Sequence, residues 1–296
     1  MKTENQFMHD YLKREHSFKP KWVAYNSRKD LRLNANHYQE KIAPLYSMKF
    51  FSKLTQKEKT DSYHLYIQFI AEMQIFLEKI LVYGFFKFRK SDSDLNPEVR
   101  NSMRLLAREE LYHTQGYQNF IDQQAPSKPL FIHNRFFRKA AAFCLNHNPL
   151  AITLIGAKFE AVSAPYFAEL VAVIEDKNDP WFELNKIHMQ DEVFHVPLQF
   201  DVYNSTVKKF GFIKTIIPMF FLYMVFQLVL LKGMRKLIKQ SYPNRSTLTR
   251  NLIILPQMVY WASRKMESFQ KSRVLLSKQF KAKAPRYRRA LKFIYA

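Results

Sequence analysis

The amino-acid sequence predicts an all-α protein built from long helices. Apolar residues recur at helical spacing over several long segments, and no alternating strand pattern of useful length occurs. Only 5 of the 296 residues are glycine, which argues against a loop-rich all-β protein and against nucleotide-binding folds that depend on Gly-rich turns. Because 47% of the residues are hydrophobic, the chain can bury a sizeable core, which excludes a disordered protein.

Proline and Asx residues mark the starts of the predicted helices. Asn96-Pro97 and Asp179-Pro180 each combine a capping side chain with a proline at the first helical position, and Asp61 or Ser62 is expected to cap the first long helix. The predicted helices span 61–89, 97–122, 150–176, 180–208, 212–240 and 247–280, with a loop at 123–129. This pattern predicts an N-terminal arm and first helix at 1–60, a four-helix core at 61–209, and basic, apolar C-terminal helices at 210–296.

The positive charge of the chain is concentrated in its last third. The net charge is +22, and residues 202–296 hold 20 Lys and Arg residues but a single acid, Glu267. Such an asymmetry indicates an anionic partner. An anionic membrane surface and an acidic carrier protein are the two partners that fit best. Nucleic acid is disfavoured, because the basic segment contains no recognition motif.

The longest apolar run, Thr215–Leu231, is at the short limit for a membrane span. It could form an amphipathic element on the membrane surface, or a buried helix that covers the bundle. The N-terminal segment is polar throughout and does not resemble a signal peptide. Cys144 is the only cysteine, which excludes a disulfide framework and a thiolate zinc cluster. We therefore expect a cytoplasmic protein; a peripheral location at the inner face of the membrane goes with the first of the two interpretations of this helix.

Histidines and glutamates fall at ligand spacing inside two of the predicted helices. Glu110 and His113 are three residues apart, and His188, Glu192 and His195 follow each other at steps of four and three. These spacings keep the side chains of each set on one helical face, where they could reach one metal ion. A single Glu-x-x-His is a weak signal, but two of them on separate helices are a stronger one.

The other two core helices each offer a glutamate on an apolar face. Glu72 is surrounded by apolar residues, and Glu160 has small neighbours that would leave room for an ion or a substrate. Glu78 competes with Glu72, but its neighbour Lys79 indicates a surface pair. The chain thus carries Glu, Glu-x-x-His, Glu and Glu-x-x-His in order, which is the ligand set of four-helix bundles that hold two metal ions.

This set of residues resembles the ferritin-like di-iron oxygenases of the p-aminobenzoate N-oxygenase type. The resemblance covers about residues 60–205, and it includes His188, an additional histidine four residues before the second Glu-x-x-His. The segment FHVPLQFDVYN is also similar to a bacterial family described as predicted metal-dependent hydrolases. The resemblance implies a ferritin-like helical bundle, to which the C-terminal helices predicted at 210–296 are additional. It also implies two iron ions and an oxygenase that uses O2 as co-substrate and oxidises an amine.

The residue types agree with that expectation. Oxygen and imidazole ligands suit iron or manganese. The predicted metal ligands are Glu72, Glu110, His113, Glu160, His188, Glu192 and His195. Among them Glu110 and Glu192 are expected to be the catalytic, bridging carboxylates and Glu72 and Glu160 the terminal ones, with Asp191, Tyr112, Gln190 and Asp201 placed for hydrogen bonds to ligands.

Two classes of function stay open at this point. The first is a dinuclear iron enzyme that oxidises a small-molecule or carrier-bound substrate and draws on an electron donor. The second is a metal-dependent hydrolase, or a non-catalytic metal-binding protein, on the same scaffold. Either could act as a homodimer.

Overall fold

The computed structural model describes residues 8, 11–13, 15–33, 51–90, 95–124, 129–130, 135–174 and 176–256. Within these ranges the chain is helical and contains no strand, which confirms the predicted all-α bundle. The helices, numbered in chain order, are α1 Glu15–Asn26, α2 Gln56–Lys90, α3 Pro97–Gln123, α4 Arg135–His147, α5 Ala151–Val173, α6 Pro180–Phe210 and α7 Phe212–Ser241.

The starts of α3 and α6 are capped as predicted. The Asn96 side chain accepts a hydrogen bond from the backbone N–H of Glu98, at 2.8 Å. The Asp179 side chain accepts one from the backbone N–H of Trp181, at 2.7 Å. The following proline of each cap occupies the first turn, where its missing N–H removes no helical bond.

Helix α2 begins earlier than predicted, so the expected cap at Asp61 or Ser62 is wrong. Thr55 and Glu58 bond reciprocally: the Thr55 backbone N–H donates to Glu58 Oε2 at 2.8 Å, and the Glu58 backbone N–H donates to Thr55 Oγ1 at 3.3 Å. This capping box satisfies two N–H groups that the first turn leaves without helical partners. It therefore fixes the start of α2 at Gln56.

Two helical hairpins form the centre of the molecule. Helices α2 and α3 pack along each other, as do α5 and α6, and each pair is joined by a short connection. The hairpins meet through contacts of α3 with α6 and of α2 with α5. Helix α1 lies across α3 and α6, and α7 packs against α2, α4 and α5.

The C-terminal part differs from the prediction in several ways. Helix α4 was not predicted, and the predicted helix 247–280 begins as a short turn, Thr247–Thr249, followed by a π-helical turn, Arg250–Ile254. Residues 257–280 of that prediction lie outside the described residues. Among the described helices one, Ile213–Ser241, is long and apolar enough to cross a membrane, and its most apolar part has a mean hydropathy of 1.9. Length and composition alone are weak evidence for a membrane span. The domain division at residues 60 and 209 stays a prediction.

The glycine at position 84 allows α2 and α5 to approach each other closely. A Cβ atom built on Gly84 would lie 2.8 Å from Ile152 Cβ and even closer to the outer atoms of that side chain. Since Ile152 is fully buried, it has little room to move away. The crossing of the two hairpins therefore depends on the missing side chain at this position.

We expect Gly84→Ala to lower the free energy of unfolding by about 1 kcal/mol or more, because overpacking exceeds the gain in helix propensity. Urea denaturation measures the change. Adding Ile152→Ala should make the combined loss smaller than the sum of the two single losses. A more stable Gly84→Ala variant would show that the two helices separate easily.

Candidate metal centre

Helices α2, α3, α5 and α6 together bury a cluster of carboxylates and imidazoles between the two hairpins. Its innermost members are Glu78 from α2, Glu110 and His113 from α3, Glu160 from α5, and His188, Glu192 and His195 from α6. None of these residues is more than 3% exposed. Carboxylates are rarely buried to this degree unless they are paired or bind a metal ion.

One group of ligand atoms comes from α2, α3 and α6. Glu78, His113, His188 and Glu192 each offer an atom within 4.8 Å of the others. The Nε2 atom of His188 lies 2.7 Å from Glu192 Oε1 and 3.3 Å from Glu78 Oε1. This group could hold a metal ion with two imidazoles and two carboxylates.

A second group is formed by Glu110, Glu192 and His195, again within 4.8 Å. The Nδ1 atom of His195 lies 3.2 Å from Glu110 Oε1, 3.9 Å from Glu192 Oε1 and 4.0 Å from Glu160 Oε1. Glu192 thus belongs to both groups. Glu110 also lies between them, since its Oε2 atom is 3.0 Å from His113 Nδ1.

The outer nitrogens of His113 and His195 are held by acids on the opposite helix. His113 on α3 donates from Nε2 to Asp191 on α6, at 3.4 Å, and His195 on α6 donates from Nε2 to Glu109 on α3, at 2.5 Å. Each of these acids directly precedes a cluster glutamate, Glu192 or Glu110. Such outer carboxylates fix the ring orientation and direct the other nitrogen inward.

Residues that precede α2 hold the two outer acids. Asp191 accepts hydrogen bonds from Trp22 Nε1, at 2.7 Å, and from Lys21 Nζ, at 2.9 Å. Glu109 accepts one from the hydroxyl of Tyr11, at 2.9 Å. The N-terminal region therefore completes the site. No pattern in the sequence indicates these contacts, because they join residues far apart in the chain.

The ring of His188 is oriented by a separate chain of hydrogen bonds. Its Nδ1 atom lies 2.8 Å from the hydroxyl of Tyr117, which donates to Asn185 Oδ1 at 3.4 Å. The other ring nitrogen, Nε2, faces the oxygens of Glu192 and Glu78, an arrangement that requires a cation or a proton between them.

The carboxylate of Glu160 is positioned by Gln199 of α6. Gln199 Nε2 donates to Glu160 Oε1 at 2.5 Å. The amide passes directly over Gly156 of α5, so closely that a Cβ atom at this position would collide with it. The small residues near Glu160 were expected to leave space for an ion or a substrate. At Gly156 that space is filled by the Gln199 side chain.

Several cluster atoms have no hydrogen-bond partner although they are buried. Within the described part of the chain they are Glu78 Oε2, Glu110 Oε1, Glu160 Oε2, His188 Nε2, Glu192 Oε2 and His195 Nδ1. A buried polar atom without a partner costs about 1–3 kcal/mol, and more when it is charged. Metal ions bound at these atoms would satisfy them.

Four members of the cluster have raised pKa values, which favour their protonated forms. Burial, together with the neighbouring Glu110, raises the pKa of Glu78 well above its usual range, and burial with Glu192 does the same for Glu160. Burial lowers the pKa values of His113 and His195, but hydrogen bonds and charge interactions with acidic neighbours raise them by more. The pKa of His113 rises to about 9, and that of His195 rises well above its usual value. Metal ions would compete with protons for the same positions.

The structure places Glu72 outside this cluster. Glu72 is half-buried, accepts a hydrogen bond from Gln68 Nε2 at 2.6 Å, and accepts another from the backbone N–H of Leu130 at 2.8 Å. Glu78 supplies the α2 carboxylate instead, and the expectation of a surface pair with Lys79 is wrong because Glu78 is only 3% exposed. The other predicted ligands, Glu110, His113, Glu160, His188, Glu192 and His195, lie together. Of the four residues expected to bond ligands, Asp191 does so, and Gln190 is exposed.

No family model, curated protein or solved structure matches this chain.

The two buried tryptophans of the N-terminal and α6 regions allow a test of the outer hydrogen bonds. Trp22 and Trp181 are both fully buried, but only Trp22 has a partner for its indole N–H, since Trp181 Nε1 has none within the described residues. We expect Trp22→Phe to lower the free energy of unfolding by about 2 kcal/mol more than Trp181→Phe, because it removes a hydrogen bond to a charged group. Chemical denaturation checks this, and equal losses would mean that the bond to Asp191 adds nothing.

Proposed function

We propose that the protein is a ferritin-like di-iron oxygenase, an oxidoreductase that uses O2 to oxidise a small organic substrate. The observation that carries the proposal is the set of buried carboxylate and imidazole atoms without hydrogen-bond partners, contributed by four helices and directed at one another. This is the arrangement that four-helix carboxylate proteins use for two metal ions.

The two overlapping groups support two ions rather than one. Glu192 is shared by both groups, and Glu110 lies between His113 and His195. These positions suit the bridging role expected for Glu110 and Glu192. Glu78, in place of Glu72, and Glu160 would then be terminal ligands, one for each ion, and His188 would make the two ions inequivalent.

The donor atoms favour iron, with manganese as the alternative. Four carboxylates and three imidazoles form the inner set, and the one cysteine, Cys144, is buried in α4 rather than in the cluster. Hard oxygen ligands combined with imidazole suit these metals. Two divalent ions would also offset much of the negative charge of the buried carboxylates.

The protein's own residues position and enclose the reactive centre. A pair of ferrous ions would supply the electrons and open coordination positions for the reduction of O2. Asp191 and Glu109 orient His113 and His195, Gln199 orients Glu160, and the burial of all of them excludes bulk water. In a dry site the fixed dipoles and charges act strongly on a bound substrate.

We propose an amine as the substrate, oxidised at nitrogen, on the basis of the family resemblance. An acyl or carrier-bound compound is the alternative that fits the basic C-terminal part. A metal-dependent hydrolase, or a protein that only binds metal, would use the same ligands, and reactivity with O2 separates these functions. A cytoplasmic location is consistent with the free thiol of Cys144.

Metal analysis of matched glutamate variants tests both the site and its assignment. We expect the wild-type protein to bind about two iron ions per chain and to consume O2 when loaded with ferrous iron. Glu78→Gln should lose about one of the two ions, whereas the control Glu72→Gln, on the same helix, should retain both, because Glu72 bonds Leu130 instead. Glu110→Ala should lower the rate of O2 consumption at least about 10-fold.

Different failures have different meanings. If Glu72→Gln loses metal and Glu78→Gln does not, the cluster is assigned to the wrong carboxylate of α2. Protein that retains only zinc and does not react with O2 would overturn the oxygenase in favour of the hydrolase or the metal-binding protein.

A further inference from the structure

Helix α7 has two different faces. On one side Met219, Leu222, Phe226 and Val229 are buried against the bundle. On the other side a row of large apolar residues faces outward with between 45% and 69% of each residue exposed. These residues, which we call the apolar stripe, are Ile213, Ile217, Phe220, Phe221, Met224 and Leu228.

The apolar stripe is continuous along the helix. Its members follow each other at steps of four, three, one, three and four, so they share one helical face. From Ile213 to Leu228 the stripe extends over about 22 Å, because each helical residue adds about 1.5 Å. Soluble proteins rarely expose a contiguous apolar patch of this kind unless it binds something.

The same face continues into positive charge. Three exposed cations, Lys232, Arg235 and Lys239, extend the spacing of the stripe by steps of four, three and four, and we call them the basic end. Helix α7 contains no acidic residue. One face therefore combines a long apolar surface with cations, and no acid of α7 compensates them.

Two further cations lie close to Phe210, the last residue of α6. Lys87 and Lys90, at the end of α2, line an open pocket of about 620 Å³ together with Phe210, which immediately precedes the break at Gly211. Neither lysine forms an ion pair within the described residues. These two lysines add positive charge near the junction of α6 and α7.

We propose that this face of α7 docks the protein onto an anionic lipid bilayer, with the helix lying in the plane of the membrane. The apolar stripe enters the boundary between headgroups and acyl chains, and the basic end contacts anionic headgroups, as in helices that bind membranes from one side. A transmembrane orientation does not fit, because the opposite face of α7 is packed against α2, α4 and α5.

Other occupants fit this face less well. A second copy of the chain would bring another net charge of +22 and another basic end towards it, and these charges repel. An acidic carrier protein would complement the basic end but would leave most of the apolar stripe without a function. The bilayer satisfies both parts of the face at once.

Vesicle flotation with the full-length protein tests this surface directly. We expect binding to vesicles of phosphatidylcholine and phosphatidylglycerol, and weaker binding to phosphatidylcholine alone. Binding to the anionic vesicles should weaken as salt is raised. The charge reversal Lys232→Glu/Arg235→Glu should reduce binding to anionic vesicles about 30-fold or more. Its control, Lys29→Glu/Lys53→Glu, makes the same change of charge at exposed positions that precede α2.

A second pair of variants tests the apolar stripe. Ile217→Asn/Leu228→Asn should weaken binding to both kinds of vesicle by more than about 10-fold. The control Val23→Asn/Leu111→Asn changes exposed apolar residues on α1 and α3, which lie away from α7, and should bind as wild type. Circular dichroism verifies that all four variants remain folded.

Three results would overturn the proposal. Wild-type protein that does not float with anionic vesicles at low salt has no such surface. Full vesicle binding by both α7 variants would mean that another segment of the chain binds the membrane. Sedimentation that shows a dimer dissociated by Ile217→Asn/Leu228→Asn, without vesicle binding, would identify the face as a contact between two copies.

Discussion

The burial of negative charge between the two hairpins is the constraint on which the rest of the structure depends. Six carboxyl groups lie there, on residues that are at most 3% exposed: Glu78, Glu109, Glu110, Glu160, Asp191 and Glu192. An ionised carboxylate without compensation costs several kcal/mol at such a position. Lys21 and the imidazoles offset part of this charge, and the remainder must be met by protons or metal ions. The four core helices can therefore pack closely only when protons or metal ions neutralise this charge.

The two Glu-x-x-His segments stabilise each other through their outer acids. Because His113 bonds Asp191 and His195 bonds Glu109, each helix orients an imidazole of the other. Any shift of α3 along α6 would break both bonds at once. The register of the two hairpins therefore determines the geometry of the cluster. Helix α1 adds to this through Trp22, whose ring lies so close to Gly116 that a Cβ atom there would be 2.6 Å away.

Most of the buried carboxylate and imidazole cluster could be predicted from the sequence, and the one carboxylate that was placed wrongly has a definable reason. Helical spacing identifies which residues share a face, and this was sufficient for the cluster residues on α3 and α6. It does not state how far along the bundle a residue lies. In a helical hairpin, residues at equal distances from the connection lie at the same level. Glu78 and Glu110 are almost equally far from the connection between α2 and α3, whereas Glu72 lies more than one helical turn farther from it.

This difference of six positions moves Glu72 about 9 Å away from the level of Glu110. Counting from the connection would have selected Glu78, and the same count pairs Glu160 with Glu192 in the second hairpin. The contacts of Trp22 and Tyr11 could not be found in this way, since the N-terminal region reaches the cluster only through the tertiary fold.

Helix α7 shows why composition alone could not decide between a buried helix and a membrane element. It is apolar enough to cross a membrane, yet a third of its most apolar part is buried inside the protein. Burial alternates around the helix: Met219 and Val229 pack on the bundle, whereas Ile217 and Leu228 face outward. A helix that packs one apolar face on a protein core and exposes another apolar face is hydrophobic all round, as a transmembrane helix is. The packed face agrees with the expected buried helix that covers the bundle, and this packing determines the direction in which the exposed apolar face is presented.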